Sequence, residues 1–239
     1  CLTEENYNAY TDVPLTYYYY DFIDEYSTLN AKADDSDLEP VVHGYPGQVF
    51  RPTWATTRAE AVKMLAHSMC AYDLYEALGG NIDDLPGITP FSDVPTSLWA
   101  HDKVAVFHEL GIIQGYDVDE NGDEVDGDIT FRPHDYVTRG EFVKMLMQAF
   151  LLWNPNIDFD PDTYTVETEY ETFADISGFE WVAPWAQFGN DMGIFLGYAS
   201  GDAKPNQDII RAEALTILHN AGVVLSESED SLFNEYYGN

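Results

Sequence analysis

The sequence predicts a mainly α fold: a pseudo-threefold array of three helix-loop-helix repeats that share one helical core and carry long acidic loops. First, an aromatic-x-Asp opening occurs at Tyr10-Thr-Asp12-Val13-Pro14, Phe91-Ser-Asp93-Val94-Pro95 and Phe173-Ala-Asp175-Ile176, with starts 81 and 82 residues apart. A second aromatic, Tyr18, Trp99 or Trp181, stands eight positions after each opening. Second, all five arginines fall at two motif positions: Arg51 and Arg132 in Phe-Arg-Pro, and Arg58, Arg139 and Arg211 in Arg-(Ala/Gly)-Glu. Lys204 aligns with Arg51 and Arg132, and Lys63 with Lys144, so eight of the ten cations recur in register. Third, the segments that follow are apolar at helical spacing, as in Val62, Leu65, Ala66 and Met69, or Phe142, Met145, Leu146 and Ala149. One helical pair cannot bury such a stripe alone, so the copies must share a core.

Residues 1–9 precede the first repeat. Opening on Cys1 instead of Met points to proteolytic processing, and makes Cys1 a candidate lipid anchor of a bacterial lipoprotein, with Cys70 then a buried free thiol. The alternative is a Cys1–Cys70 disulfide formed in an oxidising compartment. Repeat one covers 10–70, repeat two 91–153 and repeat three 173–225, each reading as helix, turn, short extended piece and helix. Gly44-Tyr45, Gly115-Tyr116 and Gly197-Tyr198 mark the turn. Tyr10 to Gly44 spans 34 positions against 24 from Phe91 to Gly115, which places ten extra residues of repeat one within Asn30 to Pro40. Repeat two carries ten extra between Gly115 and Phe131, and both insertions are acidic. In repeat three Trp181, Trp185, Phe188 and Met192 fall on one helical face, with Pro184 in the first turn, where proline is tolerated. The stretches 71–90 and 154–172 read as polar surface linkers, and 226–239 as a tail.

Composition narrows the function. At 27.0 kDa, 45% hydrophobic and 15% aromatic, the chain can bury a large core and is unlike acidic disordered chains, which are poor in aromatics. With 43 acidic residues and a net charge of −33 it cannot present the basic surface that nucleic acid requires. No apolar run approaches the roughly 18–20 residues of a membrane span. The six histidines show no metal-ligand spacing, and neither a nucleophile motif nor a phosphate loop occurs. Carboxylates are too abundant for spacing to single out an acid/base pair, so the expectation is a protein that is not an enzyme.

Thr57-Arg58-Ala59-Glu60 and Thr138-Arg139-Gly140-Glu141 read as capping boxes, in which Thr and Glu satisfy the first backbone donors of a helix. Capping asks nothing of the arginine. A guanidinium at the first helical residue is unfavourable beside the positive helix terminus unless an anion is near. That anion is either an internal carboxylate, with Asp12, Asp93 and Asp175 available once per repeat, or an acidic group on a ligand held jointly by the fork and backbone N–H groups. Trp99, Trp181 and Tyr18 stand at helical spacing, for which the plainer reading is core aromatics and the other is flat apolar faces offered to a ligand. Gly44, Gly115 and Gly197 suit positive backbone angles or a close approach at a groove.

The order aromatic-x-Asp-Val, Trp-Ala, Gly-Ile, Gly-Tyr, Phe-Arg-Pro, Thr-Arg-Ala-Glu resembles the S-layer homology domain of bacterial surface proteins, which commonly occurs in three tandem copies. The resemblance covers roughly Tyr10 to Val224 and is tightest in repeat two. Repeat one departs with Tyr18-Tyr19 for Trp-Ala, and repeat three with Ile210 before Arg211 and Ala203-Lys204-Pro205 for Phe-Arg-Pro. The resemblance implies an extracellular protein at the bacterial cell surface that binds anionic cell-wall polysaccharide, often bearing pyruvate ketals, in grooves between repeats. Carried over, the glycan-binding residues are Arg58, Arg139 and Arg211, with Trp99, Trp181, Gly44, Gly115 and Gly197 beside them.

A separate motif lies in the repeat-two insertion. Asp117, Asp119, Asn121, Asp123 and Asp128 follow the Asp-x-Asp-x-Asn-Gly pattern of a calcium loop, with Asp128 one methylene shorter than the usual glutamate. Ca2+ is therefore a candidate cofactor, against a solvated acidic hairpin. The alternative to a wall anchor is a structural subunit that self-associates into a surface layer or filament, in a calcium-dependent way, through its repeats and its Tyr17 to Tyr20 and Tyr236-Tyr237 segments.

Overall fold

A computed structural model describes residues 2–4, 10–14, 16–33, 37–87, 91–117, 129–164 and 172–228. The fold is mainly helical. Among the described residues seven α-helices are present: α1 (Tyr20–Thr28), α2 (Arg58–Ser68), α3 (Ala71–Ala77), α4 (His101–Glu109), α5 (Arg139–Trp153), α6 (Ala183–Asp191) and α7 (Arg211–Glu227). A 3-10 segment covers Ile82–Gly87. The strands β1 (Leu2–Glu4), β2 (Leu29–Ala33) and β3 (Asp37–Pro40) form one antiparallel sheet in that order, with Leu2 opposite Ala31 and Lys32 opposite Leu38.

Local chemistry sets where α2 and α5 begin. The Glu60 N–H donates to Thr57 Oγ1 at 3.3 Å and the Thr57 N–H returns to Glu60 Oε2 at 2.9 Å. Thr138 and Glu141 repeat both bonds at 3.2 and 2.9 Å. In α7 isoleucine has no acceptor to offer, so only the return bond from the Ile210 N–H to Glu213 Oε2 remains, at 3.3 Å. The next donors of each helix go elsewhere. Arg58 and Ala59 N–H bond the Asp135 and Pro133 carbonyls, Arg139 and Gly140 those of Gln207 and Pro205, and Arg211 and Ala212 those of Trp54 and Pro52. Each helix thus has its orphan donors satisfied by the loop of another motif segment.

The same cyclic order runs through the middle of the molecule. Thr56 N–H donates to the Ile209 carbonyl at 2.9 Å, Ile209 N–H to Val137 at 3.0 Å, and Val137 N–H back to Thr56 at 3.0 Å. Around this triangle α2 packs on α4, α5 on α6, and α7 on α1, so that the last helix meets the first. The long helices are buried on most sides: Val62, Leu65, Phe142, Phe150, Trp153 and Leu215 are all inaccessible to solvent. The Trp153 indole N–H donates to the Met69 carbonyl at 2.6 Å and ties the far ends of α5 and α2 together.

Several expectations change. The 71–90 linker is not a surface loop, because α3 and the 3-10 segment bury Ala71, Leu74 and Leu85 against the core. In 154–172, Phe159 packs on Trp185 and Phe188 with ring centroids 5.0 and 4.4 Å apart. Residues Leu2–Glu4 are paired into the sheet, and the Asn30 to Pro40 insertion supplies its other two strands. Cys70, in the left-handed region (φ 47°) between α2 and α3, is disulfide-bonded and not the free thiol of the lipoprotein reading. Cys1, the only other cysteine of the sequence, lies outside the described residues. Trp181 stands ahead of α6 instead of on its buried face, since the helix starts at Ala183.

Candidate functional site

Each motif aspartate is spent on backbone. Asp12 accepts from the N–H groups of Phe50 and Arg51, both at 2.6 Å; Asp93 from Phe131 and Arg132 at 2.8 and 2.7 Å; and Asp175 from Ala203 and Lys204 at 2.7 and 2.8 Å. These bonds hold Arg51, Arg132 and Lys204 at φ 61°, 59° and 50°, a left-handed conformation that L residues otherwise avoid. The aspartates are therefore not the partners of the helix-start arginines.

Those partners are the capping glutamates of another segment. Arg58 Nη1 donates to Glu141 Oε1 at 2.9 Å, Arg139 Nη1 lies 3.3 Å from Glu213 Oε2, and Arg211 Nη1 lies 3.4 Å from Glu60 Oε1. Each Nε also donates to a buried carbonyl, of Phe131, Ala203 and Phe50 respectively. A tyrosine completes each node. The hydroxyls of Tyr45, Tyr116 and Tyr198 donate to Glu60, Glu141 and Glu213. Each of these rings also lies between two cations: Tyr116 has Arg132 at 4.4 Å and Arg58 at 4.8 Å, and Tyr198 has Lys204 at 4.3 Å and Arg139 at 4.4 Å from its centroid. Burial first, opposed by the nearby arginine and reinforced by the glutamate, pushes the Tyr116 and Tyr198 phenols up to about 12, which keeps them donors.

This alters the role expected of Arg58, Arg139 and Arg211. They are only 6%, 3% and 3% exposed, and each is neutralised by an internal carboxylate. The helix-start N–H groups that were to share a ligand anion are bonded to carbonyls. The forks are struts between segments, as the cost of burying an unpaired charge requires.

Above two of these nodes lie open grooves. The first, about 280 Å3, is lined by Val41 to Tyr45, by Glu60, Lys63 and Met64 of α2, and by Trp99 and Arg211. The second, about 220 Å3, is lined by Ile112 to Tyr116, by Glu141, Lys144, Met145 and Gln148 of α5, and by Trp181 and Arg58. The two grooves are lined at ten equivalent positions, and Gln148 is added in the second. The indoles that were weighed as core are half out in solvent, Trp99 at 51% and Trp181 at 43%, and Tyr18 is more so at 69%. The Lys144 ammonium sits 6.0 Å from the Trp181 ring centroid. Gln148 Oε1 is buried without a hydrogen-bond partner on the second groove's wall. A third node, Arg139 with Glu213 and Tyr198, has Tyr18 beside it, within reach of the Glu213 and Arg139 charges. Its lysine position is Thr216, and Leu196 stands where His43 and Gln114 line the other grooves.

Gly115 and Gly197 have positive φ, 76° and 68°, as expected. Gly44 does not, and is required sterically instead: a Cβ there would lie 2.2 Å from the Tyr10 ring. The lysines and the paired tyrosines were missed as groove residues, although Lys63 with Lys144 and the Gly-Tyr repeats were visible in register. Of the calcium-loop residues, Asp119, Asn121, Asp123 and Asp128 lie outside the described residues; Asp117 follows Tyr116, whose backbone pairs with Thr130 at 2.8 and 2.9 Å and closes the base of that insertion. No helix of the described residues is long and apolar enough to cross a membrane.

Comparison with known proteins agrees with these motifs. Residues 90–143 match the family model of the S-layer homology domain. Cell surface glycoprotein 1 of Acetivibrio thermocellus is 27% identical over 75% of this chain, the Cellulosome-anchoring protein of the same organism 29% over 76%, and the Surface-layer 125 kDa protein of Lysinibacillus sphaericus 24% over 80%. The chain spans 7%, 35% and 13% of the lengths of these three relatives. Motif order, the match over repeat two and these relatives together place an S-layer homology domain at residues 90–143 and locate the protein outside the cell at the cell surface.

Proposed function

We propose that the chain is a noncatalytic wall-anchoring module: three S-layer homology repeats closed into a pseudo-threefold array that holds an anionic cell-wall polysaccharide in the grooves between repeats. The observation that carries this reading is the duplication of one groove from separate parts of the chain, each copy lined by an exposed indole and a lysine over a floor whose charges are already satisfied, with the lysine beside the indole in the second. Such a floor has no net demand for a counter-ion, so the groove lysines, Lys144 beside the Trp181 ring and the more deeply set Lys63 of the first groove, are assigned the acidic group of the sugar in place of the arginines. An indole face suits the apolar face of a pyranose ring. The third node lacks the lysine, and two grooves per chain are therefore assigned to binding.

The net charge of −33 repels a polyanion at long range, but screening removes this beyond about 10 Å in ordinary salt, leaving the local lysine to decide. Sedimentation with wall polysaccharide purified from Acetivibrio thermocellus and Lysinibacillus sphaericus tests the reading. Wild type binds; Lys63→Met plus Lys144→Met, and separately Trp99→Ala plus Trp181→Ala, lose binding while melting as wild type does. Retained binding in both double variants sinks the assignment, and polymerisation without any glycan would favour the surface-layer subunit.

A further inference from the structure

Tyr45 belongs to two arrangements at once. It lines the first groove, and its ring also meets the Arg51 guanidinium at 4.5 Å from the centroid. That guanidinium in turn lies 3.7 Å from the Trp54 ring centroid, with the Tyr45 and Trp54 rings 5.9 Å apart. A planar cation this close covers one face of the indole. Trp54 is nevertheless 51% exposed, so its other face is open to solvent.

The stack is held in place from behind. Asp12 fixes the Arg51 backbone, the Trp54 N–H donates to the Arg51 carbonyl at 3.1 Å, and the Trp54 carbonyl accepts the Arg211 N–H at 2.9 Å. Ligand binding there would cost little further ordering. The platform is also dispensable to the fold. The other copies keep the cation over the tyrosine, Arg132 over Tyr116 and Lys204 over Tyr198, but have Asp135 and Gln207 where Trp54 stands. Since those copies pack without an aromatic here, packing does not account for Trp54.

We propose that Trp54, backed by Arg51, is a second sugar subsite continuous with the first groove, so that this groove engages two successive rings of a wall glycan while the second groove engages one. The inference rests on the glycan reading above. The first groove, about 280 Å3, falls below the roughly 300–1,000 Å3 of sites for drug-sized ligands, which suits one ring and sends the next outward across Tyr45. One added aromatic contact predicts about a three- to tenfold gain in affinity.

The test uses the same wall polysaccharides, cut to one-ring, two-ring and longer fragments and titrated by calorimetry into a chain whose second groove is disabled by Lys144→Met plus Trp181→Ala. Two-ring fragments should bind about three- to tenfold tighter than one-ring fragments, with little further gain for longer ones. Adding Trp54→Ala should remove that gain and leave one-ring affinity unchanged, whereas Trp54→Tyr should keep most of it. An unchanged length dependence in Trp54→Ala overturns the subsite while leaving the groove reading intact. Absence of binding by every fragment, with Trp99→Ala making no difference, overturns both.

Discussion

Replacing Arg58 by methionine removes the guanidinium while keeping most of its aliphatic stem. The arginine is buried, its Nη1 is 2.9 Å from Glu141, and its Nε donates to the Phe131 carbonyl at 2.8 Å. Breaking a buried pair from one side costs about 3–5 kcal/mol. Because the Glu141 side chain keeps 24% exposure, the low end applies, and the stranded Phe131 carbonyl adds about 1 kcal/mol, for a total of about 4 kcal/mol. For a chain of this size that lowers the melting temperature by about 8–16 °C. Urea titration followed by circular dichroism should show a lower midpoint with an unchanged slope. Pairing the change with Glu141→Gln, which still caps α5 but carries no charge, should recover about 1–2 kcal/mol. Wall binding measured well below the transition should persist in weakened form. An Arg58→Met chain that melts within about 2 °C of wild type, yet no longer sediments with wall polysaccharide, would show the fork to be a ligand receptor and refute the strut.

Further outcomes are expected. The Thr56 hydroxyl is buried without a partner where the equivalent residues are Val137 and Ile209, so Thr56→Val should stabilise the chain by about 1 kcal/mol, read as a melting temperature about 2–4 °C higher; a lower one would mean that the hydroxyl is satisfied. The Tyr116 and Tyr198 phenols keep their protons to about pH 12 when folded, against about 10 when unfolded. Their contribution to stability is then full below pH 10 and is lost as pH rises towards 12, with phenolate absorbance at 295 nm lagging the exposed tyrosines until the chain unfolds; simultaneous ionisation of all tyrosines near pH 10 contradicts this. If the Asp117 to Asp128 stretch binds calcium with the affinity of extracellular modules, 10 mM calcium should raise the melting temperature by about 3–10 °C, an effect that chelator or Asp119→Ala removes. Indifference to calcium and chelator alike disposes of the site.

Sequence alone was enough wherever the chemistry is local or periodic. Thr57 with Glu60, and Thr138 with Glu141, cap helices because both bonds close within four residues, so the pattern and the structure coincide. The apolar spacing of α2 and α5 announced burial for the same reason, and repetition in register announced that Arg58, Arg139 and Arg211 share one role. What that role is depended on tertiary contact. Glu141 stands 83 positions from Arg58, and Glu60 stands 151 positions from Arg211. With 43 carboxylates in the chain, nothing in the spacing singles these out over the nearer aspartates. Chain closure does so, because bringing α7 against α1 sets each capping glutamate beside the arginine of the preceding repeat, Glu60 beside Arg211 included, and spends the aspartates on the backbone of the Phe-Arg or Ala-Lys pair. The same closure left Trp99 and Trp181 outside their helices, facing grooves that no single repeat contains, with the lysines of α2 and α5 beside them.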